Sequence, residues 1–287
     1  MLGKIIKKVA KPFFGRNLGG RFPLLGRAYA EMIRNRIVPC EVQGFKMYVN
    51  LQDRIASQQM FLEGVFEPEQ THIFKKLVRR DTVYVDVGAH IGYFTLLVAK
   101  NAKDGVIYAF EPQSQNFSLL RKNVHANRFH NVRLFKKAVS DKANRRLKLY
   151  CNTSNSGNNS LLKEDIVSDY VWEEVETVTL DGALKNAKKV DLMKIDVEGA
   201  ELLVLKGAEK TFRKNKKMKV LIEYAPAFYR KPTALIDVLK KLGFKIKVIS
   251  RGKPGHLEPL TDELLAETIR TARSSPAYNL NLLCERQ

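Results

Sequence analysis

From Asp81 onward, short β-rich runs alternate with segments whose apolar residues recur at helical spacing. Phe94, Leu97 and Val98 show this spacing directly after the first β-rich run. Chains with this alternation fold into a mostly parallel sheet that is covered by helices on both faces. The sequence therefore predicts an α/β, Rossmann-like fold. The predicted strands are Thr82–Val87, Val106–Phe110, Val132–Phe135, Asp191–Ile195, Val220–Tyr224, Lys245–Ile249 and Asn279–Leu283.

The composition is that of a folded protein, because 45% of the 287 residues are hydrophobic. This length is sufficient for one large α/β domain with additional terminal elements. We predict a basic helical extension over residues 1–39, a cap over residues 40–80 and the α/β domain over residues 81–287. No apolar run reaches the roughly 20 residues that a membrane-spanning helix needs.

The three cysteines, Cys40, Cys151 and Cys284, lie far apart in the sequence. They form neither a CxxC pair nor a Cys/His cluster with zinc spacing. This pattern predicts no disulfide framework and no metal site, and it favours a reducing, cytoplasmic environment. The amino-terminal segment differs from a secretory signal because lysines interrupt its apolar residues throughout.

The formal net charge of +20 is unusual, and it bears on partners rather than on the fold. Basic residues are concentrated in residues 1–39 and again in residues 206–219. Within residues 1–14, apolar positions recur at helical spacing between lysines, which is typical of a short basic helix at a membrane interface. The alternative is a helix that packs on the protein's own core. Peripheral contact with an anionic membrane and contact with nucleic acid are therefore both considered.

The strongest local motif is the run from Val85 to Gly92, in which an acidic residue at a strand end leads into a glycine turn that opens a helix. Glycine lets the backbone approach a ligand closely, and the amino end of a helix favours polar ligand groups. A tight turn without a ligand is the alternative, because His90 stands where the dinucleotide-binding pattern has its middle glycine. The candidate ligand-binding residues are Asp86, Gly88, Ala89 and Gly92.

The next predicted strand ends in Phe110-Glu111-Pro112, about twenty residues beyond the glycine turn. A carboxylate in this position can accept hydrogen bonds from both hydroxyls of a ribose. The glycine turn, the spacing and the acidic residue together favour a ligand that contains adenosine. We therefore expect Glu111 and Pro112 to contact this ligand.

A third motif, Lys194 to Glu201, follows the fourth strand of the core. Ligands bind at the carboxyl ends of parallel strands, so Asp196 and Glu198 are expected to face the first two motifs. Two acids in this position can hold the ligand's amine, orient a substrate hydroxyl or accept its proton. For Glu198 the alternative is a carboxylate that caps the following helix.

Four segments together resemble the FkbM family of methyltransferases: DVGAHIGYFT, FEPQSQNFSLLRKNV, KKAVSD and MKIDVEGAELLVLKGA. The upstream segment GVFEPE is similar to that family's lead-in, so the resemblance covers residues 64–226. It implies a class I methyltransferase fold with a seven-stranded sheet, and S-adenosylmethionine as methyl donor. It also implies O-methylation of a hydroxyl on a small-molecule or glycan acceptor, such as a sugar, a glycolipid or a secondary metabolite.

The same resemblance implies roles for single residues. Gly88 and Gly92 would bracket the methionine end of the donor, and Glu111 would hold its ribose. His90 replaces an asparagine that is frequent in the family, and a structural role is its alternative. The residues implied beside the adenine are Val139, Ser140 and Asp141. A sulfonium donor is already activated, so the protein must position the acceptor and remove its proton. The candidate bases are Asp196, Glu198 and His90.

Three aromatic residues, Tyr224, Phe228 and Tyr229, either wall the acceptor site or belong to the core. Two other functions are compatible with the sequence. An RNA methyltransferase would use the basic surface, although we find no RNA-binding module and no NPPY-type tetrapeptide. A non-catalytic module would bind an adenosine ligand or anionic lipid. Nucleic acid is the less favoured partner.

Overall fold

The computed structural model describes residues 37–53, 55–152 and 170–286. The strands in these ranges are β1 (Ile37–Val42), β2 (Phe45–Asn50), β3 (Tyr84–Val87), β4 (Ile107–Phe110), β5 (Val132–Phe135), β6 (Ala138–Val139), β7 (Arg146–Asn152), β8 (Tyr170–Val178), β9 (Leu192–Ile195), β10 (Lys219–Tyr224), β11 (Lys245–Ile249), β12 (Leu257–Pro259) and β13 (Leu280–Glu285). The helices are α1 (Ala56–Glu63), α2 (Pro68–Leu77), α3 (Tyr93–Asn101), α4 (Ser114–Ala126), α5 (Leu180–Ala183), α6 (Glu201–Lys206), α7 (Glu209–Lys214), α8 (Ala234–Lys241) and α9 (Asp262–Ser274). The helix predicted within residues 1–14 lies outside the described residues. None of the described helices is long and apolar enough to cross a membrane.

The main sheet has eight strands in the order β12-β11-β13-β10-β9-β3-β4-β5. Strands β5, β4, β3, β9 and β10 run parallel, whereas β13 is antiparallel to both β10 and β11. The seven predicted strands are all present, and β12 adds an eighth at the edge beyond β11. The predicted Rossmann-like, mostly parallel sheet is confirmed.

The strand order reverses between β3 and β9. The chain enters this sheet at β3, moves outward through β4 and β5, and later adds β9 on the other side of β3. Doubly wound sheets bind ligands at such a reversal, outside the carboxyl ends of the strands. The register places Val87 beside both Phe110 and Ile195. The residues that follow these three positions therefore emerge side by side at one edge of the sheet.

Apolar side chains cover both faces of the central strands. Every residue of β3, β4 and β9 is buried. Tyr84 packs in the apolar cluster on one face of the sheet and Val85 packs in the cluster on the other. Strands that are buried on both faces need apolar residues at nearly every position, and this explains the near-continuous β-rich runs in the sequence.

A hairpin of β1 and β2 precedes the main sheet and packs against α4. Asn123 and Asn127 of α4 accept hydrogen bonds from the backbone N–H groups of Tyr48 and Lys46, at 2.6 and 2.9 Å. The amide groups of both asparagines also donate to the carbonyls of the same two residues. The sequence analysis predicts a cap in this region without identifying the hairpin. The domain boundaries after residues 39 and 80 stay predictions.

A three-stranded sheet of β6, β8 and β7 follows β5 in the chain. The sequence around Leu147 and Leu149 predicts an extended segment, and in the structure this segment is β7, which is antiparallel to β8. Strand β6 runs parallel to β8, and neither of these two strands was predicted from the sequence. Strand β6 is short, but it brings Val139 towards the carboxyl ends of the main sheet.

The spacing of Leu205, Ala208 and Phe212 in the sequence predicts one helix, but the structure has two helices here, α6 and α7, which are separated at Gly207. A Cβ atom at Gly207 would lie 2.1 Å from the carbonyl oxygen of Ser140. The backbone of this junction therefore packs directly on the segment that follows β6. Helical periodicity of the apolar residues continues across the junction, so the sequence pattern alone predicts one helix.

Replacing Gly207 with alanine should destabilise the protein by about 1–3 kcal/mol, because the added methyl group must displace backbone atoms of a packed core. Gly182→Ala is the matched control, since its Cβ would meet the flexible Thr179 hydroxyl at 3.1 Å. Urea denaturation followed by circular dichroism measures both free energies of unfolding. Wild-type stability of Gly207→Ala would contradict the close packing.

Candidate functional site

A cavity of about 740 Å³ lies at the carboxyl ends of β3, β4 and β9. Small-molecule sites have volumes of roughly 300–1,000 Å³, so its size suits a ligand of moderate size. The predicted site residues that line it are Asp86, Gly88, Ala89, His90, Glu111, Pro112, Val139, Asp196 and Glu198. Gly92, Ser140 and Asp141 do not line it.

The turn after β3 is held against both neighbouring strands. The Gly88 amide donates a hydrogen bond to the carbonyl of Phe110 at 3.0 Å. Gly88 has a φ of +83°, and a Cβ atom there would lie 1.8 Å from the carbonyl oxygen of Asp196. Only glycine fits this position. Gly92 begins α3 with a φ of +96°, and its Cβ would lie 2.6 Å from the Leu120 side chain, so this glycine allows α3 to pack on α4.

Asp86 is buried at the end of β3 and lines the cavity. The Thr95 hydroxyl of α3 donates a hydrogen bond to its carboxylate at 2.5 Å. Burial raises the pKa of Asp86, and the nearby Lys194 ammonium opposes the rise. The contact with Thr95 fixes the orientation of the Asp86 carboxyl group beside the glycine turn.

Glu111 follows β4 and is 5% exposed. One carboxylate oxygen accepts a hydrogen bond from the His90 amide and the other from the Gln113 amide, both at 2.9 Å. Burial raises the pKa of Glu111 to about 7. Each carboxylate oxygen has a second lone pair, so a carboxylate held in this way can still accept two ligand hydroxyls.

His90 lies in the left-handed region, with a φ of 52°, at the centre of the β3 turn. Its Nε2 atom is 3.8 Å from a carboxylate oxygen of Asp53. Burial lowers the pKa of His90, and the nearby Asp53 carboxylate opposes this shift. Asp53 also accepts hydrogen bonds from the amides of Ile55 and Ala56, so His90 faces the carboxylate that orders the start of α1.

The segment after β6 is divided between the cavity and the protein interior. Val139 lines the cavity. Ser140 is buried, and its hydroxyl donates to Asp141 at 3.3 Å. Asp141 forms an ion pair with Lys206 at 3.4 Å. The adenine contact stays a prediction for Val139, while Ser140 and Asp141 are engaged away from the cavity.

Asp196 follows β9 and forms an ion pair with Lys194 at 2.5 Å. Lys194 is buried within the sheet, and its ammonium lies 5.0 Å from the ring centroid of Phe94. Burial opposes the charge of Lys194, but the carboxylates of Asp196, Glu67 and Asp86 outweigh burial and hold its pKa above the ordinary value. Lys194 is thus a fixed positive charge among the carboxylates of the cavity.

Glu198 lines the cavity in a left-handed backbone conformation, with a φ of 50°. The neighbouring Glu201 carboxylate accepts hydrogen bonds from the amides of Val197 and Gly199, in the turn that precedes α6. Carboxylate oxygens of Asp196, Glu198 and Glu223 lie within 4.8 Å of one another. Burial raises the pKa of both Glu198 and Glu223 well above the usual range.

The aromatic residues after β10 belong mainly to the core. Tyr224 is fully buried and donates a hydrogen bond to the carbonyl of Pro232 at 2.7 Å. Tyr229 is buried and donates to the Glu201 carboxylate at 2.6 Å. Of the three aromatic residues considered, Phe228 alone lines the cavity. The interpretation of Tyr224 and Tyr229 as acceptor walls is therefore wrong.

Several cavity residues were not predicted from the sequence. Glu67 comes from the start of α2, Lys194 from within β9 and Glu223 from within β10. Two segments remote in sequence complete the wall: α1, and the chain between Ile249 and Asn281. The GVFEPE segment marks Glu67 as part of the family pattern, but only the fold shows that Glu67 faces this cavity.

The glycine turn and the acidic strand ends of this site correspond to a known family. The sequence profile described as "Methyltransferase FkbM domain" matches residues 86–246, which is more than half of the chain. The chain belongs to the FkbM methyltransferase family. The resemblance that the sequence motifs indicated is thus confirmed, and the sheet has the strand order of a class I methyltransferase fold.

Relatives of this FkbM-family chain are also named as methyltransferases. Methyltransferase 1 of Beauveria bassiana (strain ARSEF 2860) is 30% identical over 149 residues, which are 45% of this chain and 59% of the relative. The 2-O-methyltransferase NoeI of Sinorhizobium fredii (strain NBRC 101917 / NGR234) is 25% identical over 193 residues, which are 59% of this chain and 76% of the relative. The crystal structure of methyltransferase FkbM from Methylobacillus flagellatus KT has a TM-score of 0.45 and 17% identity, with 79% of this chain and 52% of that chain covered. The chain thus spans less than two thirds of the length of two of these three proteins.

The raised pKa of Glu111 predicts how stability depends on pH. A carboxyl group whose pKa is about 7 in the folded protein, against about 4.5 when unfolded, stabilises the fold below pH 4.5 and loses that contribution as the pH rises through 7. Between pH 5 and pH 8 the loss is about 2–3 kcal/mol for this group. Urea denaturation of the ligand-free protein at both pH values should show a smaller loss in Glu111→Gln than in the wild type. Equal losses would contradict the buried, protonated carboxyl group.

Proposed function

We propose that this FkbM-family protein transfers a methyl group from S-adenosylmethionine to a hydroxyl group of a small-molecule or glycan acceptor. The observation that carries the proposal is the convergence of the Gly88 turn, Glu111 and Asp196 on one cavity at the reversal of strand order. Acidic residues and a close backbone turn in this position suit a nucleoside ligand.

The donor fits the half of the cavity around β3 and β4. Glu111 would accept hydrogen bonds from the ribose hydroxyls, since backbone amides already hold its carboxylate in place. Gly88 would let the methionine end approach the backbone, and Asp86 or Asp196 would face its ammonium group. Apolar residues Val139 and Phe110 line the same half and suit an adenine ring.

The chemistry leaves two tasks to the protein. The donor, when bound, supplies an activated methyl group, so positioning of the acceptor provides much of the acceleration. A hydroxyl acceptor also gains from a base that removes its proton. The predicted bases Asp196, Glu198 and His90 all line the cavity. The name of the 2-O-methyltransferase NoeI supports an oxygen acceptor, since that relative matches 59% of this chain.

The charge of the cavity disfavours the RNA methyltransferase alternative. Glu67, Asp196, Glu198 and Glu223 line it together, and Lys194 is the buried cation among them. A cavity lined mainly by carboxyl and apolar groups offers few cationic partners for the phosphates of a nucleic acid. A cytoplasmic location and contact of residues 1–14 with an anionic membrane are further proposals, and they rest on the sequence pattern alone.

The donor site predicts that Glu111→Ala binds S-adenosylmethionine more weakly by a few kcal/mol, because charge-assisted hydrogen bonds to the ribose are lost. Isothermal titration calorimetry measures the affinity. Glu174→Ala is the matched control, since Glu174 is exposed on β8 and pairs with Arg146. Unchanged affinity in a folded Glu111→Ala protein would contradict the proposed contact between Glu111 and the ribose.

The acceptor class is tested with radiolabelled S-adenosylmethionine and purified protein, supplied separately with glycan, lipid and RNA fractions. We expect label in the glycan or small-molecule material, and Asp196→Asn should lose this activity while it keeps a near-native melting temperature. Labelled RNA would favour the alternative function. A fully active Asp196→Asn protein would show that the Asp196 carboxylate is not needed for methyl transfer.

A further inference from the structure

Glu67 presents a carboxylate oxygen that has no hydrogen-bond donor. Its Oε2 atom is buried, and nothing in the described part of the chain donates a hydrogen bond to it. Glu67 lines the cavity where α2 begins. Buried polar groups in native proteins are almost always hydrogen-bonded. The position of Glu67 therefore points to a ligand group that supplies the missing hydrogen bond from within the cavity.

Two other buried carboxylates of the site have hydrogen-bond donors from the protein itself. The Glu201 carboxylate accepts hydrogen bonds from the amides of Val197 and Gly199 and from the Tyr229 hydroxyl. Glu111 has a backbone amide on each oxygen. Both side chains hold protein groups together, whereas the Oε2 atom of Glu67 holds none.

The backbone fixes Glu67 in an uncommon conformation. Its φ is 43°, in the left-handed region that a residue other than glycine rarely adopts. Pro68 begins α2 directly after it, and the Thr71 amide donates to the Glu67 carbonyl at 2.8 Å. The Thr71 hydroxyl is also 2.8 Å from the Tyr93 hydroxyl of α3. Strained conformations that surrounding contacts maintain are concentrated at functional sites.

Charged groups from several elements surround Glu67. Burial raises its pKa to about 7, against the opposing effect of the Lys194 ammonium. The Asp196 and Glu69 carboxylates raise the pKa further, and a hydrogen bond with Gln70 lowers it. Glu198, Glu223 and Tyr93 also interact electrostatically with Glu67. A base with a pKa near the working pH is well matched to proton transfer.

We propose that Glu67 accepts the hydrogen bond of the acceptor hydroxyl and takes its proton during methyl transfer, which rests on the proposed O-methyltransferase function. The acceptor oxygen forms its bond to the methyl carbon while the O–H bond breaks and the proton passes to Glu67 Oε2. The electron pair of the broken carbon–sulfur bond stays on sulfur, which becomes a neutral thioether. The products are a methyl ether and a protonated Glu67, which then returns the proton to solvent.

The other candidate bases are less suited to this step. The Asp196 carboxylate is already engaged in its ion pair with the Lys194 ammonium, at 2.5 Å. Burial and the Asp196 and Glu201 carboxylates raise the pKa of Glu198 well above its ordinary value, which favours its protonated form. The His90 imidazole faces the carboxylate of Asp53, which lies just before α1. Asp196 is accordingly a positioning residue in this scheme, and Lys194 balances both carboxylates.

The test compares Glu67→Gln with the wild type, using radiolabelled S-adenosylmethionine and the glycan fraction as acceptor. We expect kcat to fall by about 10²–10⁴-fold with little change in KM, as for loss of a general base. The wild-type kcat should rise with pH through about 7, and the variant should lose this dependence. The affinity for S-adenosylhomocysteine, measured by calorimetry, and the melting temperature should stay at wild-type values.

Glu63→Gln is the matched control, because Glu63 is an exposed carboxylate at the end of α1, and it should keep wild-type kinetics. Wild-type kcat or an unchanged pH profile in Glu67→Gln would overturn the proposal, and weaker binding of S-adenosylhomocysteine would assign Glu67 to the donor instead. Should Glu67→Gln fail to fold, Glu67→Asp provides the test and should keep the pH dependence at a reduced kcat. A wild-type protein that methylates no hydroxyl would refute the proposed function itself, and the role of Glu67 with it.

Discussion

The contact between the β3 turn and the end of β9 is the constraint on which the site depends. The Asp196 amide donates a hydrogen bond to the Val87 carbonyl at 3.0 Å, and the carbonyl of Asp196 occupies the space where a Gly88 side chain would lie. The Gly88 amide meanwhile donates to Phe110 of β4. One turn is thereby fixed to the strands on both sides of it. Any residue larger than glycine at position 88 would separate β3 from β9 and move the carboxylates that follow each strand.

Burying several carboxyl groups close together is electrostatically unfavourable, and the buried ammonium of Lys194 offsets part of this. Carboxyl groups emerge at the ends of neighbouring strands, and burial raises the pKa of Asp86, Glu111 and Glu198. Lys194 lies on β9 among these groups, with its ammonium 2.5 Å from Asp196. A buried cation paired with carboxylates resists loss of its proton. A ligand that brings an ammonium and a sulfonium group would complete the charge balance that Lys194 begins.

The sequence predicted the parts of this site that depend on local patterns. The Gly88 turn and Glu111 each follow a buried strand directly, so the pattern of the strand also placed the residue after it. Glu67 and Glu223 could not be found in this way, because they reach the cavity only through the packing of α2 and β10. The break between α6 and α7 at Gly207 could not be predicted either, because Gly207 packs against the backbone of Ser140, which is remote in the sequence. The sequence also left open whether Tyr224 and Tyr229 face the cavity or the core, because their hydrogen bonds to Pro232 and Glu201 arise only in the folded chain.

The two halves of the cavity come from different parts of the chain. The residues suited to the donor lie within 86–246, the region that matches the FkbM profile. Part of the remaining wall comes from outside that region: Gln59 and Met60 of α1, Glu67, and Arg251 with Asn279. Arg251 donates a hydrogen bond to the Asn279 carbonyl at 2.9 Å, so the two segments that close this side are joined to each other. Membership of the family therefore bears on the half of the cavity where we propose that the donor binds. Under the proposed function, the apolar, amide and charged side chains that the flanking segments add to the wall would determine which acceptor binds.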